Sequence, residues 1–205
     1  MIKACGLKKS YGKFLAADNI SLTLAPGEGV ALLGANGSGK STLLKMLALI
    51  LKPDAGEVKI DGLQGTQAKK KIAYAPQEIV LFEELTVTEN LLAWSSLKGV
   101  KNKERAQYLT EALDMGDFCK KRVDRLSGGQ RRRVNLAAAL MGEYTYLLLD
   151  EPLAGIDEAG AACIEALLRK EREAGCGLIV TEHNPTILLP LTDRTLKLDR
   201  GHFIG

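Results

Sequence analysis

The chain has 205 residues, 46% hydrophobic and 26% charged, with a net charge of +3, which is enough apolar material for one sizeable core and too little positive charge to argue for nucleic acid. Four scattered cysteines (Cys5, Cys119, Cys163, Cys176) form no CxxC pair, which argues against a zinc site or a secreted disulfide scaffold and for reduced, buried thiols. No apolar run reaches the roughly 20 residues that span a bilayer, and the opening residues lack a signal-peptide core.

The chain opens with strands, "MIKACGLKKSYG" and then "NISLTLAPGE", where Ile20, Leu22 and Leu24 alternate with Ser21 and Thr23. "GVALLG" at 29–34 is a short apolar run of the kind buried on both faces of a sheet. A helix is expected through "GKSTLLKMLALILK", stopping at "KPDAG" with its Pro53 and Gly56. Strands "GEVKIDG" and "KIAYAPQ" follow.

Between that strand and helix, "GANGSGKS" (34–41) fits G-x-x-x-x-G-K-[ST] without deviation. Gly34, Gly37 and Gly39 let the backbone wrap closely, so that the N–H groups of a loop including Ala35, Asn36 and Ser38 can face phosphate oxygens. Lys40 brings a positive charge to the β- and γ-phosphates, the Ser41 hydroxyl is a hard ligand for Mg²⁺, and Thr42 can reach an α-phosphate oxygen. The motif implies a nucleotide and Mg²⁺. By itself it does not choose ATP over GTP, or hydrolysis over transfer.

The middle of the chain, from about 78 to 135, reads as a helical insert. "TVTENLLAWSSLKG" starts on a capping box, Thr86 with Glu89, and ends at Gly99; "NKERAQYLTEALDMG" runs from Asn102 to Gly116. Leu91, Leu92 and Trp94 read as core packing. Next, "LSGGQ" (126–130) places Ser127, Gly128, Gly129 and Gln130 at the start of a helix. That is a second potential anion site, because unsatisfied N–H groups and the helix dipole point outward there. "QRRR" (130–133) reads as the exposed start of this helix.

Strand and helix then alternate. "YLLLDEP" (146–152) ends a strand with Asp150 and Glu151. If the strand continued, the two would face opposite sides, suiting Asp150 to Mg²⁺ and Glu151 to activating water. "DEAGAACIEALLRKEREAG" is a helix, "GLIVTEH" a strand, and "RTLKLDRGHFIG" a hairpin around Asp199-Arg200-Gly201. Helix-separated strands imply right-handed parallel βαβ units. The expected fold is therefore α/β, with a mainly parallel core sheet, antiparallel strands at one side and the helical insert, all in one domain of residues 1–205. Gln77 and His183 end strands on the edge that carries the phosphate loop.

Taken together, "GANGSGKST", "APQ" with Gln77, "LSGGQ", "LLLDEP" and "TEH" occur in the order of the ATP-binding cassette ATPases, and the chain resembles a nucleotide-binding subunit of an ABC transporter from end to end. The resemblance implies a P-loop NTPase fold and ATP with Mg²⁺, held through Ser41 and Gln77 with Asp150 behind. It places Tyr11 of "SYGKF" on adenine, Glu151 as the group that polarises water, His183 and Lys40 on the γ-phosphate, and Asp157 of "LAGID" in the D-loop. It also implies a head-to-tail dimer in which residues 127–130 of one copy cap the ATP held by the other. Further expectations are a homodimer, a separate transmembrane permease, a cytoplasmic location on the membrane's inner face, and export as the direction. Two other functions stay open: a soluble ABC ATPase, and a nucleotide-gated binding module. The short span between Gln77 and Ser127 leaves no room for the coiled-coil arms of repair ATPases, only one cassette is present where translation types join two, and intact Glu151 and His183 speak against a module without turnover.

Overall fold

A computed structural model describes residues 1–97, 102–182 and 189–204. Strands β1 (Ile2–Tyr11) and β2 (Phe14–Leu24) form an antiparallel hairpin, followed by β3 (Gly29–Leu33) and helix α1 (Lys40–Leu47). Then come β4 (Ala55–Ile60), α2 (Gly65–Lys69), β5 (Ile72–Ala75), α3 (Val87–Leu97), α4 (Lys103–Ala112) and α5 (Gly128–Ala139). The last part is β6 (Tyr146–Asp150), α6 (Glu158–Glu173), β7 (Gly177–Thr181), β8 (Arg194–Asp199) and β9 (His202–Ile204). The expected α/β class stands: a three-stranded antiparallel sheet, β2-β1-β4, lies beside a six-stranded sheet ordered β5-β6-β7-β3-β8-β9. In the larger sheet every pairing is parallel except β8 with β9.

The burial pattern follows from this layering. β6 and β7 are buried at every residue, as strands covered on both faces must be. Side chains alternate between faces. Val30, Leu32, Leu148 and Ile179 join α1 and the antiparallel sheet in one core cluster. Leu147, Leu149, Leu178 and Val180 join α3 to α6 in the other. Leu91 is fully buried there, with Leu92 and Trp94 packed against it. The Thr86–Glu89 capping box forms, and Asn102 caps α4 by accepting from Arg105 N at 2.7 Å.

Three expectations need correction. α1 stops at Leu47, well before Pro53, because Leu49 takes a left-handed backbone (φ 56°) and Ile50 and Leu51 both donate to the Lys45 carbonyl. This is a left-handed helix end closed without glycine. The five-residue α2 has no counterpart among the expected elements. Of the four cysteines, all free, only Cys176 is buried, and burial pushes its thiol up to about 12.

Because β3, β5, β6 and β7 are parallel, their C-terminal ends lie on one edge of the sheet, where open α/β sheets bind ligands. The phosphate loop, Gln77, Asp150–Glu151 and Glu182 all follow those ends. His183 lies outside the described residues.

Candidate functional site

The loop from Gly34 to Gly39 is shaped by contacts that exclude side chains. Gly39 has φ 107°, and a Cβ there would sit 2.0 Å from the Ala16 carbonyl oxygen. A Cβ on Gly34 would sit 2.3 Å from the Leu198 oxygen and 2.6 Å from Ser38 Oγ. Lys40, at the first turn of α1, folds back so that Nζ donates to the Gly34 oxygen (2.7 Å) and the Ala35 oxygen (3.2 Å). Its ammonium is thereby held over the loop. Ser38 Oγ is buried and lacks a hydrogen-bond partner among the described residues. An orphaned hydroxyl beside a buried ammonium and a ring of glycine backbone suits an anion's oxygens. The cleft has a volume of about 330 Å³ and is lined by Phe14, residues 36–42, Gln77 and Glu151.

The carboxylates close the other side. Asp150 ends β6 and accepts a hydrogen bond from Thr181 Oγ1 at 2.8 Å. Glu151 does not continue the strand: its φ is 49°, and its N–H donates to Thr181 Oγ1 (3.0 Å) and to the Thr181 oxygen (3.2 Å). The left-handed turn, not strand alternation, separates the two side chains. A bulky residue in that region is uncommon and is held only where surroundings over-determine it. Gln77 Nε2 donates to Glu151 Oε2 at 2.7 Å. Glu182 Oε1 accepts from Leu153 N at 2.8 Å, tying the end of β7 to the segment after Glu151.

Ser127 caps α5. Its Oγ accepts from Gln130 N (3.3 Å) while Gln130 Oε1 accepts from Ser127 N (3.0 Å), a complete capping box. Ser127 and Gly128 are exposed, and a Cβ on Gly128 would meet nothing within 4 Å. A Cβ on Gly129 would come 3.1 Å from the Gly155 oxygen. None of residues 126–130 lines the cleft around the phosphate loop. The two helix starts with anion-site character therefore do not converge within one chain.

A family model described as ABC transporter matches residues 17–154. The chain belongs to the ABC transporter family. It is 36% identical to the linearmycin resistance ATP-binding protein LnrL of Bacillus subtilis, over the whole chain and 68% of that protein. It is 34% identical to the lipopolysaccharide export system ATP-binding protein LptB of Escherichia coli K12, over the whole chain and 89% of that protein. Among solved structures it resembles a dimeric ATP-binding cassette in a post-hydrolysis state with ADP and Pi, at 29% identity and a TM-score of 0.87, covering the whole chain and 97% of that one. No helix among the described residues is long and apolar enough to cross a membrane.

Two features of this ABC cassette escaped the sequence. Tyr11 is exposed at the end of β1, and Phe14 faces it directly in the hairpin register. Directly opposed residues share a face, yet Phe14 is the ring that lines the cleft. The two-residue turn Gly12-Lys13 in "SYGKF" was the signal available. The arginines after "LSGGQ" are half-buried, not an exposed helix start. Arg131 donates to the Asp124 oxygen (3.0 Å), and Arg133 to the Leu113 and Asp114 oxygens while lying over the Phe118 ring. Arg132 donates to the Gln77 carbonyl. Burial pulls its guanidinium below the usual arginine range, while the nearby Glu151, Glu182 and Asp150 oppose that shift. Asp157 caps α6 through Gly160 N at 2.9 Å.

Proposed function

We propose that this chain is the ATP-hydrolysing subunit of an ABC transporter, working as a head-to-tail homodimer on a separate transmembrane permease. One observation carries the reading. The cleft assembles a phosphate loop, Gln77 and Glu151, while the anion-binding start of α5 stays outside it. Such a site is completed by a second copy, and a two-fold pairing supplies two identical composite sites.

The residues divide the work by position. Tyr11 and the face it shares with Phe14 receive the base, and residues 34–42 wrap the phosphates with Lys40 among them. Ser41 and Gln77, with Asp150 behind, would hold Mg²⁺; a hydroxyl, an amide oxygen and a carboxylate are the hard donors it favours. Held there, the ion would supply charge neutralisation during phosphoryl transfer. Glu151 accepts a hydrogen bond from the attacking water and aligns it in line with the γ-phosphate. His183 contacts that phosphate, and Ser127, Gly128, Gly129 and Gln130 of the second copy cap it. Bound ATP contacts both copies, so it shifts the pair toward the closed state.

Exposed Ile79, Val80 and Phe82, directly after Gln77, support an apolar contact to the permease beside the ATP site. The name of the LptB relative, part of a lipopolysaccharide export system, favours export, and the proposed permease would hold the cassette on the cytoplasmic face of the membrane.

Light scattering with and without Mg-ATP tests this on the wild type and on Glu151→Gln. The variant should bind ATP, accumulate as a dimer and lose hydrolysis by about a hundredfold or more. A variant that binds ATP and remains monomeric rules out self-pairing.

A further inference from the structure

The segment after β5 is held by one helix. Arg132 and Asn135, three residues apart on α5, share a face. Arg132 donates to the Gln77 oxygen. Asn135 is buried; its Nδ2 donates to the Pro76 oxygen (3.2 Å) and the Glu78 oxygen (3.2 Å), and its Oδ1 accepts from Val80 N (2.9 Å). Three successive carbonyls and one amide of a loop are thus satisfied by two side chains of a single helix. Such a loop obtains its fixed backbone from that helix and moves with it.

The same helix is capped by Ser127, five residues before Arg132, and a helix transmits displacement along its length as a rigid element. At the far end of the loop's Gln77, the side chain donates to Glu151 at 2.7 Å. A continuous path runs from the α5 N-terminus through Arg132 and Gln77 to the carboxylate.

We propose that Arg132 and Asn135 make α5 and residues 76–80 one mechanical unit, and that Arg132 is the positioning residue through which the 126–130 segment sets Gln77 against Glu151. On the dimer reading above, each copy's 126–130 segment touches its partner's ATP while its Glu151 serves its own. Arg132 then links the two composite sites through the body of one protomer.

The experiment compares wild type, Arg132→Met, Arg132→Lys, Gln77→Ala and the Arg132→Met/Gln77→Ala double variant. Hydrogen exchange of the amides at 77–80 without nucleotide reads the clamp independently of catalysis. It should quicken about tenfold in Arg132→Met and return toward wild type in Arg132→Lys, which keeps a donor. Steady-state ATP hydrolysis should show kcat reduced about tenfold in Arg132→Met, with ADP affinity within about twofold of wild type. The double variant should be no slower than Gln77→Ala, because the arginine acts through that residue. Unchanged exchange in Arg132→Met overturns the clamp. An unchanged kcat in Arg132→Met, or losses that add in full in the double variant, overturn the positioning role. If exchange quickens in Arg132→Met while the wild type does not hydrolyse ATP, the clamp stands, its catalytic role is removed and the function proposed above is defeated.

Discussion

Gly37 and Gly39 both adopt positive φ, at 77° and 107°, yet they are not equivalent. A Cβ on Gly37 meets nothing within 4 Å, whereas one on Gly39 lands 2.0 Å from the Ala16 carbonyl and 3.4 Å from a Leu198 methyl. Gly37→Ala faces only the backbone cost of the left-handed region, about 1–2 kcal/mol. Gly39→Ala adds a collision with backbone that cannot rotate away, so β2 or the loop must shift and the phosphate cradle opens. Calorimetric titration with ADP and thermal unfolding separate the two. Gly37→Ala should bind ADP within about tenfold of wild type, and Gly39→Ala should lose a further factor of at least about ten and unfold earlier. Equal behaviour of the two variants would show that space around Gly39 does not shape the loop. Lys40 answers to the same architecture, since its ammonium is held by the Gly34 and Ala35 carbonyls that these glycines position.

Between elements, polar clasps fix what the apolar cores leave free. Arg105 on α4 donates to Glu171 on α6 (2.8 Å) and to Tyr144 Oη (2.8 Å), and Tyr144 donates to the other Glu171 oxygen (2.9 Å). Arg105 Nε also reaches the Leu140 oxygen just past α5. The helical insert is thereby pinned to the helix that backs the sheet. Glu171→Ala strands a partly buried guanidinium and phenol, and about 2–3 kcal/mol of stability should be lost in urea unfolding. An Arg105→Met/Tyr144→Phe/Glu171→Leu triple variant should recover most of it, because three apolar groups leave neither an unpaired charge nor a stranded hydroxyl. A triple variant as unstable as the single one would mean that packing, not polar pairing, sets the cost. Neither this clasp nor the Arg132–Asn135 grip could be read from the sequence, because each joins residues whose proximity exists only after folding. The apolar runs of β3 and β6, the capping box at Thr86, the helix start at Ser127 and the phosphate loop were legible, since each is a local pattern with its own physical cause. The early end of α1 was not, because Leu49 in a left-handed turn carries no local mark.

At the scale of the whole molecule, the separation of the two helix starts with anion-site character predicts a behaviour that no single chain can show. Lys40→Ala removes the ammonium from the phosphate loop and leaves residues 126–130 intact. Gly128→Glu puts a charged side chain on the exposed start of α5, where a Cβ meets nothing within 4 Å, and leaves the phosphate loop intact. On the proposed homodimer, each variant alone would pair into dimers whose composite sites all carry a defect, so neither should hydrolyse ATP. In a mixed dimer both defects fall in one site and the other is whole. Random pairing of equal amounts makes half the dimers mixed, each with one working site of two, so hydrolysis should reappear at up to about a quarter of the wild-type rate. Partial coupling between the sites, as the proposed Arg132 path implies, would hold the recovery below that ceiling without abolishing it. The measurement is a phosphate-release assay on the two variants alone and mixed, with differently tagged copies to confirm that mixed dimers form. Tagged mixed dimers without any recovered hydrolysis would show that the α5 start does not serve the partner's phosphate loop, and the two sites would then have to be assigned to different ligands.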